Sequence, residues 1–174
     1  MLTVYADALF KLGHYQPYLK LADRIIELSI LENIRFVQGE DIYRKALYQK
    51  GYAYFYLHDY PSSSYLAKEL IKISPDYRPY KRLLRRCMIR KRPLYVKRLL
   101  GIGVGLYFLS VILVIIEQLI IGNFYESMLD VAGLFRMGIF GLGLSAFVIG
   151  EGLHHWQIRQ FIKQFVADIK RRKK

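Results

Sequence analysis

The stretch Leu99–Ile116, LLGIGVGLYFLSVILVII, decides the reading of this chain: eighteen residues without one charge. As a helix it spans roughly 27 Å, close to the roughly 30 Å of a bilayer's hydrocarbon core. A second apolar stretch, Val131–Gly150, is interrupted only by Arg136. Between the two, Gly122–Asp130 carries Glu126 and Asp130 and no base. The outer flanks have the opposite character. Arg78–Arg98 holds ten basic residues and no acid, and Trp156–Lys174 holds seven bases and one acid. Basic flanks mark the cytoplasmic side of a span. The pattern therefore predicts a two-helix transmembrane hairpin, about 99–121 and 131–150, with both termini cytoplasmic. The expected location is integral to a membrane, a bacterial inner membrane.

The formal net charge of +13 invites comparison with nucleic-acid binders. Its distribution argues against that partner. Met1–Tyr77 balances nine acids with nine bases, so the surplus sits in the membrane flanks. Basic residues beside a bilayer orient the chain and attract anionic lipid headgroups, each contributing on the order of 1 kcal/mol. Cys87 is the sole cysteine. It allows no internal disulfide and fits a reducing compartment. Leu83, Leu84, Cys87 and Met88 recur at helical spacing, so Cys87 reads as a small filler on a buried stripe rather than an acylation site. The first residues, MLTVYADALFKLGHY, lack a long apolar core, and no cleavable leader is expected.

Upstream of the hairpin the chain repeats itself. Gly13-His14-Tyr15 recurs as His58-Asp59-Tyr60, 45 residues later. Around the second copy stand Leu47, Lys50, Gly51 and Tyr54, then Ser63, Ala67, Leu70 and Pro75. Leu2, Tyr5, Ala6, Leu9, Ala22, Ile25 and Leu28 match them around the first. This arrangement resembles the tetratricopeptide repeat (TPR). In that pattern small residues let two helices approach and large ones fill the space between them. Pro75 would close the second helix. Lys50, Ala67 and Ile30 depart from the pattern. The period exceeds the family's roughly 34 residues. The extra residues are expected within Leu31–Ile42. Two units need a cap, and Arg78–Arg90 with its apolar stripe is the natural capping helix. What the resemblance implies is a concave surface that binds a segment of another protein.

Seven tyrosines fall between Tyr43 and Tyr65. Tyr54 and Tyr60 read as repeat-packing residues. Tyr48, Tyr52 and Tyr56 fall at i, i+4 and i+8 on one helix face. With Gln49 they are the expected partner-binding stripe, because tyrosine is favoured at interfaces.

In the hairpin, Arg136 is costly near a helix centre, at about 2.5 kcal/mol or more on insertion scales. Counted outward from the turn, Glu117 and Arg136 lie at similar depth, so an intramembrane ion pair between them is expected. It reads as a structural lock, or as Arg136 snorkelling outward, before it reads as a proton or ion pathway. Gly101 with Gly105, and Gly141 with Ser145, form small-xxx-small faces that let helices pack closely in lipid. They imply contact beyond the hairpin, either self-association into a homo-oligomer or docking on a larger membrane partner.

The second helix is expected to run on into the cytoplasm as a basic amphipathic tail, 156–174. Ile158, Phe161, Ile162, Phe165, Val166 and Ile169 form its stripe. Such a stripe suits the membrane surface, the capping helix or a partner.

No catalytic constellation stands out. His154 and His155 are adjacent and diverge on a helix. Glu151 and His155, at i and i+4, have no third ligand, and Glu151 is expected to face Lys97 and Arg98. Phosphate-loop, dinucleotide and nucleophile-elbow motifs do not occur. No cofactor and no metal is expected.

The expected architecture is all-α. A TPR-like domain with its cap covers 1–92, the transmembrane hairpin 93–155, and the tail the remainder. The expected function is that of a non-enzymatic membrane-anchored adaptor or accessory subunit. The helical domain would bind a partner protein and the hairpin would dock into a larger membrane complex. The alternative is a small pore- or channel-forming oligomer regulated through the helical domain.

Overall fold

The computed structural model describes residues 2–34, 36–37, 39–121 and 129–173. Among the described residues the fold is all-α, save for one two-residue antiparallel ladder. There are two compact units, residues 1–91 with 158–174, and residues 92–157.

The first unit opens with α1 (Leu2–Lys11) and α2 (Tyr15–Leu31). Then come β1 (Phe36–Val37) and β2 (Glu40–Asp41), paired Phe36 to Asp41. Next are α3 (Ile42–Tyr56), α4 (Tyr60–Ile73) and α5 (Arg78–Arg90), and each of these helices packs on the next. Turns of a few residues fold consecutive helices back on one another.

Two of those turns are the same device, 45 residues apart. Gly13 has φ +79° and His58 φ +63°, both in the left-handed region that ends helices. The Gly13 amide donates to Phe10 O at 3.2 Å, and the next amide, of His14, to Leu9 O at 3.0 Å. The His58 amide donates to Phe55 O at 3.2 Å and that of Asp59 to Tyr54 O at 2.9 Å. The recurring tripeptide is thus a recurring helix stop. Glycine adopts this conformation without steric cost, whereas His58 needs the surrounding hydrogen bonds.

Asp59 then starts α4. Its carboxylate accepts from the Ser62 amide at 3.1 Å, and Pro61 occupies the first turn, where no amide proton is needed. Asp59→Ala should cost the chain about 1 kcal/mol. Asp59→Asn should recover most of that loss, as read by thermal unfolding in mild detergent. Asp41 caps α3 in the same way, accepting from the Arg44 amide at 2.9 Å.

Small residues set the helix spacing. Ala6, Ala22, Ala53, Ser63 and Ala67 are buried. A methyl group on Gly51 would stand 3.0 Å from Leu83 Cδ2. Ser63 Oγ donates to Gly51 O at 2.7 Å and lies 3.0 Å from Cys87 Sγ. Cys87 is 1% exposed and packed as a filler, and burial pushes its thiol up. Lys50, unusual at an apolar position, lays its chain toward the Tyr54 ring and pairs with Asp23.

Of the places open to the amphipathic tail, the structure shows the capped helical domain. Ile162, Phe165, Val166 and Ile169 pack on the core formed by Leu66, Leu70, Leu83, Leu84 and Cys87. Lys170 pairs with Asp76 at 2.5 Å, and Lys173 donates to Ile73 O at 2.9 Å. The hydrogen bond from Lys170 holds the exposed Asp76 carboxyl below the usual carboxylate range. The tail thus belongs to the first unit rather than forming a separate segment.

The second unit holds α6 (Leu94–Ile116), a π-helical turn (Glu117–Ile121) and the first part of α7 (Leu129–Arg172). Leu94–Leu119 has a mean hydropathy of 2.7 over its most apolar window, and Gly133–Arg172 one of 1.6. Both helices are long and apolar enough to cross a membrane. Their large apolar side chains, among them Ile102, Phe108, Ile112, Leu134, Phe135 and Leu142, are exposed on all sides. Water opposes such a surface and lipid does not. The acidic turn residue Glu126 lies outside the described residues.

Candidate functional site

The tyrosine stripe of α3 is part of a longer structure. Tyr48 and Tyr52 meet edge to face at 5.0 Å, and Tyr52 and Tyr56 lie 6.2 Å apart. At one end Tyr15 of α2 stacks on Tyr56 at 4.8 Å. At the other, Tyr80 of α5 meets Tyr48 at 5.3 Å and Tyr77 at 4.6 Å. Six tyrosines from three helices and a turn therefore form one unbroken ladder. Tyr56 is 49% and Tyr77 51% exposed. Tyr15, Tyr48 and Tyr52 are half-buried, and Tyr80 is buried. Burial, then the hydrogen bond with Tyr52, pushes the Tyr48 phenol up. The ladder can offer flat aromatic area with phenolic hydroxyls, which suits a peptide or helix of mixed polarity.

The i, i+4, i+8 spacing on α3 was legible in the sequence. Tyr15, Tyr77 and Tyr80 were not, because tertiary packing brings them to the stripe. Tyr54 packs against the core, and Tyr60 meets Phe55 edge to face at 5.6 Å.

Gln49 stands apart from the stripe. Its amide donates to Asp7 Oδ1 at 2.8 Å, and its carbonyl accepts from the Tyr18 hydroxyl at 3.1 Å. One residue along a helix turns the side chain about 100°, which takes Gln49 from the tyrosine face to the α1–α2 side. There Lys45 Nζ meets Asp7 Oδ2 at 2.6 Å and Glu40 Oε2 at 2.7 Å. The hydrogen bonds that Lys45 donates to Asp7 and Glu40 raise its pKa. This polar seam ties α1 to α3. Asp7 and Lys45 lie 38 residues apart, with no local pattern to announce them.

In the hairpin, Arg136 Nη1 donates to Glu117 Oε2 at 2.8 Å. Glu117 opens the π-helical turn. The Arg136 and Glu117 side chains are 31% and 16% exposed, so the pair is largely covered.

The glycines divide into two sets. A methyl group on Gly103 would lie 3.1 Å from Gly143 O, and one on Gly143 3.2 Å from Gly103 O. These two glycines form the closest crossing of α6 and α7. Methyl groups on Gly101, Gly105 or Gly141 would meet nothing. Ser145 bonds back to Leu142 O at 2.8 Å and is exposed. The small-xxx-small pairs singled out in the sequence therefore do not pack the hairpin together. They face outward, displaced from the crossing by two residues along each helix.

At the basic end of the hairpin Arg92 Nη2 meets Glu151 Oε1 at 2.7 Å, so Arg92 takes the place expected for Lys97 and Arg98. Glu151 Oε2 stands 3.9 Å from His155 Nε2. Among the described residues no group of three or more His, Cys, Asp or Glu side chains gathers as for a metal. Tyr95 donates to Gln157 across the same end.

Comparison with protein-family models, curated proteins and solved structures found no match.

Proposed function

We propose that this chain is a non-enzymatic, membrane-anchored adaptor or accessory subunit. The helical domain holds a segment of a partner protein on its tyrosine face. The hairpin spans the membrane with both ends cytoplasmic and docks into a larger assembly through its outward glycines. The observation that carries the reading is the six-tyrosine ladder, an aromatic surface on a small helical array that is most exposed at Tyr56 and Tyr77. The domain is read as a short TPR-like array capped by α5. Support for this comes from the duplicated helix stop, the small residues at the helix contacts, and the β1–β2 connection that accounts for the long period. Anionic headgroups lie at the basic flanks.

Tyr48→Ala, Tyr52→Ala and Tyr56→Ala together should abolish partner recruitment while membrane insertion survives. At about 2 kcal/mol for each hot-spot residue, co-purification should fall well over 100-fold. The check is mild-detergent affinity purification with mass spectrometry, beside carbonate extraction of membranes. Retention of every partner by the triple variant defeats the assignment of this face. Gly101→Leu with Gly105→Leu then tests the hairpin, because bulky side chains there block close approach by another helix.

A second reading, a small pore-forming oligomer, draws on the charged pair of Glu117 and Arg136 in an apolar hairpin. Steady ion flux through liposomes holding only this chain would favour it over the adaptor.

A further inference from the structure

Four basic residues of α5 and two of α7 line one cleft of about 300 Å³. They are Arg78, Lys81, Arg82 and Arg85, facing Arg159 and Lys163, with Ile162 between. The spacing within α5 is i, i+3, i+4 and i+7, so all four cations share one helix face. Arg159 and Lys163 are one turn apart on α7. The apolar side of the tail, from Ile162 to Ile169, packs on the core beside α5. Hydrophobic burial thus brings two like-charged faces together.

No carboxylate among the described residues pairs with any of the six. Asp76, which feels the charge of Lys81, is already bonded to Lys170. A chain that needed only to dock its tail here would be helped by a Glu or Asp on either wall. Six unpaired cations instead resist closure, and an anion lying between the walls relieves the repulsion more locally than solvent screening does. Arginine predominates, and its planar fork matches phosphate oxygens in pairs.

We propose that this cleft binds a phosphate-bearing anionic lipid headgroup with at least two negative charges, and that the headgroup pins the tail to α5. The choice of lipid over soluble phosphate rests on the membrane reading above. Both walls lie within the basic flanks of the apolar helices, so phospholipid is the phosphate source adjoining them in the chain. The general headgroup attraction of a basic flank is spread over all its charges. The cleft makes it a site, with six cations converging on one volume.

The test uses the full chain in non-ionic detergent. Native mass spectrometry reads retention of cardiolipin, which carries two phosphates, against neutral phosphatidylcholine. Parallel samples receive inorganic pyrophosphate or a short DNA duplex. The cleft variant carries Arg82→Gln, Arg85→Gln, Arg159→Gln and Lys163→Gln. The control removes equal charge outside the cleft, with Arg86→Gln, Arg90→Gln, Arg171→Gln and Arg172→Gln. All eight positions are exposed helix positions where glutamine is tolerated, and circular dichroism checks folding.

Cardiolipin affinity is expected to fall at least about tenfold further in the cleft variant than in the control, which removes the same charge. Hydrogen exchange over Ile162–Ile169 should slow with cardiolipin in the parent only. Equal losses in both variants mean diffuse attraction and overturn the site. Retention of pyrophosphate or DNA in place of cardiolipin overturns the lipid assignment. Carbonate extraction separates the two levels of failure. A chain that stays in the membrane but retains no cardiolipin defeats the cleft alone, and one that washes off defeats the membrane reading itself.

Discussion

Gly103→Leu together with Gly143→Leu should separate α6 from α7. Each new side chain begins with a Cβ 3.1–3.2 Å from the facing backbone oxygen, before any further atom is added. A backbone carbonyl in a helix cannot step aside as a flexible side-chain end can. Overpacking one site costs about 1–3 kcal/mol in soluble cores, and because the two glycines face each other at one crossing the double variant acts as one coupled change rather than a sum. In lipid there is no hydrophobic force to press the helices back together, so close packing supplies much of the hairpin's cohesion. The measurement is intramolecular cross-linking between a cysteine pair placed on α6 and α7, in a background with Cys87 replaced. Cross-linking should fall sharply in the double variant and remain at the parent level in Gly101→Leu with Gly105→Leu. A double variant that cross-links as well as the parent contradicts the observed crossing.

Arg136→Ala is the second change expected to act strongly, because it strips Glu117 of the guanidinium 2.8 Å away. A buried pair broken on one side costs about 3–5 kcal/mol in soluble proteins. The loss is smaller where an alternative partner or water can reach, as polar interactions in membranes average well below that. The exchange Glu117→Arg with Arg136→Glu restores opposite charges at the same depth and should recover much of the stability. Unfolding in graded denaturing detergent reads all three variants against the parent. If both single variants and the exchange unfold with the parent, the pair contributes nothing to the hairpin.

The placement of the two long apolar helices and of their charged interruptions was legible because those signals are local. An uncharged run of eighteen residues, a base-rich flank and a repeated Gly-His-Tyr or His-Asp-Tyr turn are each read from neighbours in the chain. The 45-residue period and the helix stops at Gly13 and His58 share one backbone cause, a left-handed residue whose amide and its neighbour's close the preceding helix. The same holds for the stripe of Tyr48, Tyr52 and Tyr56, since 3.6 residues per turn put them on one face.

Whatever depends on which face meets which was decided only by tertiary structure. Small-xxx-small spacing marks Gly101 and Gly105 as well as any pair in α6, yet the crossing uses Gly103. A two-residue step rotates the contact by about 200°, and nothing local selects between the two faces. Gln49 follows Tyr48 directly but turns to Asp7 and Tyr18, because α1 and α2 lie on that side of α3. The tail's apolar stripe fits a membrane, a partner or a core equally well. It lies on the core of α4 and α5 because Leu83, Leu84 and Leu70 leave an apolar surface there. That docking also sets Arg159 and Lys163 beside Arg82 and Arg85. By itself the sequence determined the helices and their apolar faces. Which faces close on each other depends on shape and burial among segments far apart in the chain, and only the folded molecule resolves that.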